Sequence, residues 1–147
     1  MKGTGFEITG IKEVRNILEE VAPKHARNLM RATIHGVASE IAKDAKASAP
    51  KDTGALRKAI KAKRKKSAPD RPVSEVFVEH GGNAKHDAFY WRFIEYGTGG
   101  KTAQPERPFI RPATDKARAN LDQIITQQFG KKLEAALRRE AKKKARK

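Results

Sequence analysis

Pro23-Lys-His-Ala-Arg-Asn-Leu-Met-Arg-Ala-Thr-Ile-His-Gly-Val-Ala-Ser-Glu-Ile-Ala-Lys-Asp-Ala-Lys-Ala-Ser-Ala-Pro50 is the stretch that organises this chain. Ala26, Met30, Ile34, Val37, Ile41 and Ala45 recur every three or four positions, an apolar stripe along about seven turns of one helix. Pro23 suits the first turn, where a missing N–H costs nothing. Pro50 sets the end, because the residue before a proline is pushed out of the helical region. Toward the N-terminus, Ile11, Val14, Ile17, Leu18 and Val21 give a shorter amphipathic helix. Residues 1–10 read as an extended lead-in in which Phe6 and Ile8 alternate with polar neighbours.

Beyond Pro50 the pattern changes. Asp52 or Thr53 can cap a short helix over 54–58 by accepting its free amide protons. From Ala59 to Lys65, Ile60 and Ala62 alternate with Lys61, Lys63 and Lys65, predicting a half-buried strand with a cationic outer face. Ser67 to Pro72 is a breaker loop. Val73 to His80 alternates again, with Val76 and Val78 opposite Phe77 and Glu79, so an antiparallel hairpin is the simplest pairing; Gly81-Gly82-Asn83 ends it. Asp87 to Tyr96 holds five aromatics, read as a helix capped by Asp87 and stopped by Gly97, although Phe89, Trp91 and Phe93 also fit a strand. A mobile loop over Gly99–Pro108 follows. Pro112 then opens a last helix along Ala113, Ala117, Leu121, Ile124, Ile125, Leu133 and Leu137, weakened at Gly130. The expected class is α+β: N-terminal helices including one long helix, a small antiparallel sheet with a basic hairpin, and a C-terminal helix.

A chain of 147 residues suits one domain with one modest core. We place that domain at 1–137 and a basic, disordered tail at 138–147, where no apolar face remains. Leu, Ile, Val and Phe make up only 19% of the residues, while 22 are Ala. With a net charge of +16, such a chain is close to the border of independent folding, and association would stabilise it. The absence of Cys excludes disulfides and thiolate metal sites. No apolar run approaches the roughly 18 residues of a membrane span, so a soluble, non-exported protein is expected.

Most of the charge sits in two segments. Lys58, Lys61, Lys63, Arg64, Lys65 and Lys66 form one, with no acid among them; Arg138 to Lys147 holds seven bases and one Glu. Each is either a solvated stretch or a contact for nucleic acid. The chemistry otherwise available is thin. His25 and His35 point about 80° apart and lie roughly 14 Å or more apart along one helix, too far to share an ion. His80, His86 and Asp87 could meet across a loop but lack an evident supporting shell. No glycine-flanked nucleophile or phosphate-binding loop occurs, so neither metal nor cofactor is expected. A basic nuclease using His80 or His86 with Lys85 is the enzymatic alternative. The aromatic segment could stack bases, but so small an apolar content favours Trp91 and Phe93 as core.

Three blocks set a charge beside a Gly or Pro and large apolar residues: Ala49-Pro-Lys-Asp-Thr-Gly-Ala-Leu-Arg57, Phe93-Ile-Glu-Tyr-Gly-Thr98 and Arg107-Pro-Phe-Ile-Arg-Pro-Ala113. Glu95 would be costly to desolvate unpaired, so a bidentate bridge to Arg57 or Arg111 is expected, within the subunit or across a boundary. In this order the blocks resemble the tail-component family of tailed bacteriophages and prophages. The resemblance rests on Ala49, Pro50, Thr53, Gly54, Leu56 and Arg57, on Glu95 to Thr98, and on Pro108 to Ala113, and its layout spans about residues 6–130. It implies a non-enzymatic protein of tail completion or head–tail joining, assembled as a ring of expected sixfold symmetry in the virion tail or neck after synthesis in the host cytoplasm. It also implies neighbouring neck or tail proteins as partners, and no membrane. Arg57, Glu95, Tyr96, Gly97, Thr98, Arg107, Phe109 and Arg111 are then the candidate subunit corner. The basic hairpin could then meet DNA passing through the channel, or an acidic surface of an adjoining ring. A stand-alone DNA- or RNA-binding protein is the rival reading.

Overall fold

The computed structural model describes residues 23–51, 54–82 and 84–146. The expected helix over 11–21 and the caps at Asp52 and Thr53 lie outside the described residues. The order is α1 (Pro23–Ser48), α2 (Ala55–Ala59), β1 (Ile60–Arg64), β2 (Ser74–Val78), α3 (Trp91–Tyr96), α4 (Ile110–Ala119) and α5 (Leu121–Ala145). This is the α+β class: a long helix, a two-stranded antiparallel sheet and C-terminal helices.

Helix α1 is the spine. The sheet covers one side of it, with Ile60, Ala62, Val76 and Val78 turned inward, and Ile60 pairs with Val78 in register. Helices α4 and α5 run back along α1 in the opposite sense. Lys116 pairs with Asp44 at 2.9 Å, Gln128 donates to Glu40 at 3.3 Å, and Lys132 acts on His35. The inward stripe of α1 is Ala26, Leu29, Thr33, Val37, Ala38, Ala42 and Ala45, continued by Ala49 just past its end, whereas Met30, Ile34 and Ile41 are only half-buried. Small residues face inward because α5 comes close: a Cβ built on Gly36 would overlap the Gln128 carboxamide. The core is correspondingly lean. Ala42, Ala45, Ala49, Leu56, Ala59, Ile60, Val78, Ala88, Phe109 and Ala113 form it, and Phe109 and Ile60 are its largest fully buried apolar side chains.

Four expectations need correction. The aromatic helix begins at Trp91, not Asp87; Asp87 Oδ1 accepts from Gly81 N at 3.1 Å and Phe89 N at 3.2 Å, closing the loop before the helix. Phe93 is 54% exposed, so it is not core, while Trp91 is half-buried. The last helix breaks at Asn120 and not at Gly130, because Asn120 N and Nδ2 both donate to Lys116 O, at 3.2 and 3.0 Å. Finally, the backbone beyond Leu137 stays helical to Ala145 where fraying was expected. Arg, Glu, Ala and Lys are strong helix formers and sustain those turns without tertiary packing.

Candidate assembly corner

The three blocks converge at the C-terminal end of α1. Ala49 and Leu56 from the first, Ile94 from the second, and Phe109, Ile110 and Ala113 from the third pack into one cluster. Each block's charge then serves backbone groups that the fold leaves bare.

Arg57 is held below the end of α1. Its Nε and Nη2 donate to Ala49 O at 2.9 and 2.7 Å, and Nη2 reaches Ala47 O at 3.3 Å. The last carbonyls of a helix have no partner within it, and a guanidinium there also opposes the negative end of the helix dipole. The expected pairing of Arg57 with Glu95 does not form.

Glu95 is 1% exposed. Its Oε2 accepts from Phe109 N at 2.8 Å and Ile110 N at 3.0 Å, and its Oε1 from Arg111 N at 2.9 Å. A helix start leaves four N–H groups unpaired. Here one distant carboxylate takes three of them, and Pro112 removes the fourth donor altogether. Arg111 adds Nε to Oε1 at 3.3 Å and Nη2 to Glu95 O at 2.7 Å, with Nη2 also on Glu106 at 2.8 Å. The expected Glu95–Arg111 contact is therefore present within the chain, but through one guanidinium nitrogen on the carboxylate rather than two. Burial pushes the Glu95 carboxyl up, yet the amides of Ile110, Phe109 and Arg111 and the Arg111 guanidinium outweigh it and hold the group below its usual value.

Gly97 turns the chain out of α3 at φ 71°, ψ 179°, and a Cβ there would lie 2.8 Å from Gln104 O. Only glycine fits that backbone and that approach. Thr98 N donates to Gln104 O at 3.1 Å while its Oγ1 accepts from Gln104 N at 2.9 Å, closing the neck of loop 99–103. Arg107 N donates to Ile94 O at 2.8 Å.

The candidate corner residues thus divide. Glu95 and Phe109 are interior, while Arg57, Gly97 and Thr98 fix the backbone. Tyr96, Arg107 and Arg111 face solvent, with the Arg111 guanidinium 5.1 Å from the centre of the Tyr96 ring. Phe89 and Phe93, absent from the expected set, are exposed by 67% and 54%. Their i, i+4 spacing was the available signal: it sets them apart from Tyr90 and Ile94, which pack inward. Beside Phe93 an open groove of about 440 Å³ is lined by Leu56, Tyr90, Ile94, Thr98, Thr102 and Gln104 among others.

The basic hairpin is less cationic than its sequence. Glu79 pairs with Lys61 at 2.6 Å, and Glu75 pairs with Lys63 at 3.1 Å and Lys65 at 2.8 Å. Antiparallel register sets Glu75 opposite Lys63 and brings Glu79 diagonally near Lys61, and Lys63 also lies 4.5 Å from the centre of the Phe77 ring. Lys58, Arg64 and Lys66 have no ion-pair partner among the described residues. His80 is exposed and His86 half-buried. Among the described residues no three His, Asp or Glu side chains gather as metal ligands would, and no helix is long and apolar enough to cross a membrane.

No curated protein and no solved structure gives a significant match to this chain. A family model does, over residues 12–97, with the description "Bacteriophage HK97-gp10, putative tail-component". The match takes in the Arg57 block and the Glu95 block as far as Gly97, and stops short of the Arg107–Ala113 segment. It covers more than half of the sequence, and the chain belongs to the HK97-gp10-like family of phage tail components.

Proposed function

We propose that this chain is a non-enzymatic assembly protein of a long-tailed phage or prophage, acting in tail completion or head–tail joining as one subunit of a ring, six copies being the expected number. The observation that carries the reading is the aromatic ridge of Phe89, Phe93 and Tyr96. It leaves three large rings in water on a chain whose core is mostly alanine. Contiguous exposed apolar side chains beside polar rims mark contact surfaces, and aromatic residues with Arg dominate such contacts energetically. The Arg111 guanidinium stands 5.1 Å from the centre of the Tyr96 ring, at one end of the ridge. A ring needs a face that meets a different face of the next copy and closes. The buried Glu95 clasp gives that face a rigid footing.

The test is a phage carrying this gene in conditional form, with lysates viewed by electron microscopy. Loss of the chain should leave heads and tails unjoined, with joining restored by the wild-type gene and not by Phe89→Ser/Phe93→Ser. Normal, infectious particles made without the chain would overturn the proposal.

A further inference from the structure

We infer that the last third of α5, with the start of α1 beside it, is a binding surface for the sugar–phosphate backbone of double-stranded DNA. Among the described residues, charge is polarised along the length of α1 and α5. β1 runs back from the level of Ala45 toward His35, where Arg64 acts on the imidazole, and α5 brings Lys132 to the same place. Past that level the described stretch of α1 before Glu40 contains Lys24, Arg27 and Arg31 and no acid. Over the same interval the sequence of α5 through Arg146 carries eight bases, Lys131, Lys132, Arg138, Arg139, Lys142, Lys143, Lys144 and Arg146, against two acids, Glu134 and Glu140.

These cations are ordered. At about 100° per residue, Lys131, Arg138, Arg139, Lys142 and Arg146 fall within a sector of about 100° on α5, a stripe about 22 Å long. Glu134 borders it. None of the described side chains from Glu134 onward is buried. Arg138, Arg139, Lys142 and Arg146 make no ion pair with a described residue. The hairpin offers the opposite case, since three of its lysines already sit on Glu75 and Glu79.

Three features select the partner. Beyond Leu137 the helix holds no apolar side chain larger than alanine, so it lacks the apolar centre on which a contact with folded protein is built. It holds no aromatic residue, so unpaired bases have nothing to stack on. What remains is a stiff row of positive charge. A duplex carries one negative charge per about 1.7 Å and gains affinity by releasing its condensed counterions.

The experiment is fluorescence anisotropy of the full chain on a labelled duplex across a salt series, with a matched single strand and poly-glutamate as further probes. Wild type should bind the duplex with an affinity that falls steeply with salt. Arg138→Gln/Arg139→Gln/Lys142→Gln should bind on the order of tenfold or more weakly, with a log–log salt slope shallower by about 2.7. Lys61→Gln/Lys63→Gln/Lys65→Gln should change that slope by less than about one. Equal duplex binding by the arm variant, a larger loss in the hairpin variant, or binding of poly-glutamate in preference to duplex would each overturn the inference. Sedimentation of the arm variant keeps the two proposals separate: its self-association should match wild type whatever happens to DNA binding.

Discussion

At the corner end of the molecule, Arg57, Glu95 and Arg111 are turned onto backbone amides and carbonyls, and Glu95 is sealed from water. At the far end, Arg138, Arg139 and Lys142 stand on an unpacked helix with no described ion-pair partner. The residue types are alike, but their settings are not. Glu95, near Gly97, and Arg111, beside Pro112, meet backbone groups that a fixed turn has left bare. Arg138, Arg139 and Lys142, on the outer turns of α5, are exposed and pair with no described acid. The first kind shapes a surface; the second is free to act on another molecule.

The contrast is broken most severely at Glu95. Glu95→Ala would strand three amides at the start of α4 and leave the Arg111 guanidinium without its buried partner; a loss of about 3–5 kcal/mol is expected in chemical denaturation. The pH dependence has a definite sign. The native carboxyl is held below its usual value, so its contribution is complete above the unfolded-chain value and disappears as pH falls through the native one. Wild type should therefore lose stability below about pH 4, and the melting temperatures of wild type and Glu95→Gln should converge there. Parallel curves down to acid pH would contradict the clasp.

Gly97→Ala comes next, at about 1–3 kcal/mol, since the new Cβ would meet Gln104 O in a backbone conformation closed to alanine. A melting temperature equal to wild type would show that the turn can relax. Arg57→Met keeps most of the aliphatic stem but uncaps Ala47 and Ala49, for about 1–2 kcal/mol in the same assay. Lys61→Met removes a partly exposed pair with Glu79 and should cost less than about 1 kcal/mol. The smallest effect belongs to Arg138→Gln/Arg139→Gln/Lys142→Gln, within about 0.5 kcal/mol of wild type, because these side chains contribute nothing to packing.

Much of the fold was legible because it follows local rules. The two prolines bound α1 where expected, and β1 and β2 pair as their alternation implied. Which face of α1 turns inward was not legible. Hydropathy favours Met30, Ile34 and Ile41, whereas the close approach of Gln128 on α5 selects Gly36, and Ala38 and Ala42 are buried instead. The corner was readable in part: Glu95 was marked as needing a partner, but a carboxylate serving three amides fourteen to sixteen residues away has no sequence signature. Nor does one strand's composition reveal that Glu75 will lie across from Lys63 and Glu79 diagonally from Lys61, because register is a property of the pair. The aromatic ridge escaped for a related reason. Counting scarce apolar residues assigns every one to the core, yet Phe89 and Phe93 remain outside it.

Sedimentation velocity over a wide range of protein concentration at moderate salt, comparing wild type with Phe89→Ser/Phe93→Ser, tests the central claim most directly. The ridge as a joining surface predicts that wild type forms one closed species larger than a dimer, while the variant stays monomeric with an unchanged melting temperature. Wild type that remains a monomer at every concentration, indistinguishable from the variant, would contradict it.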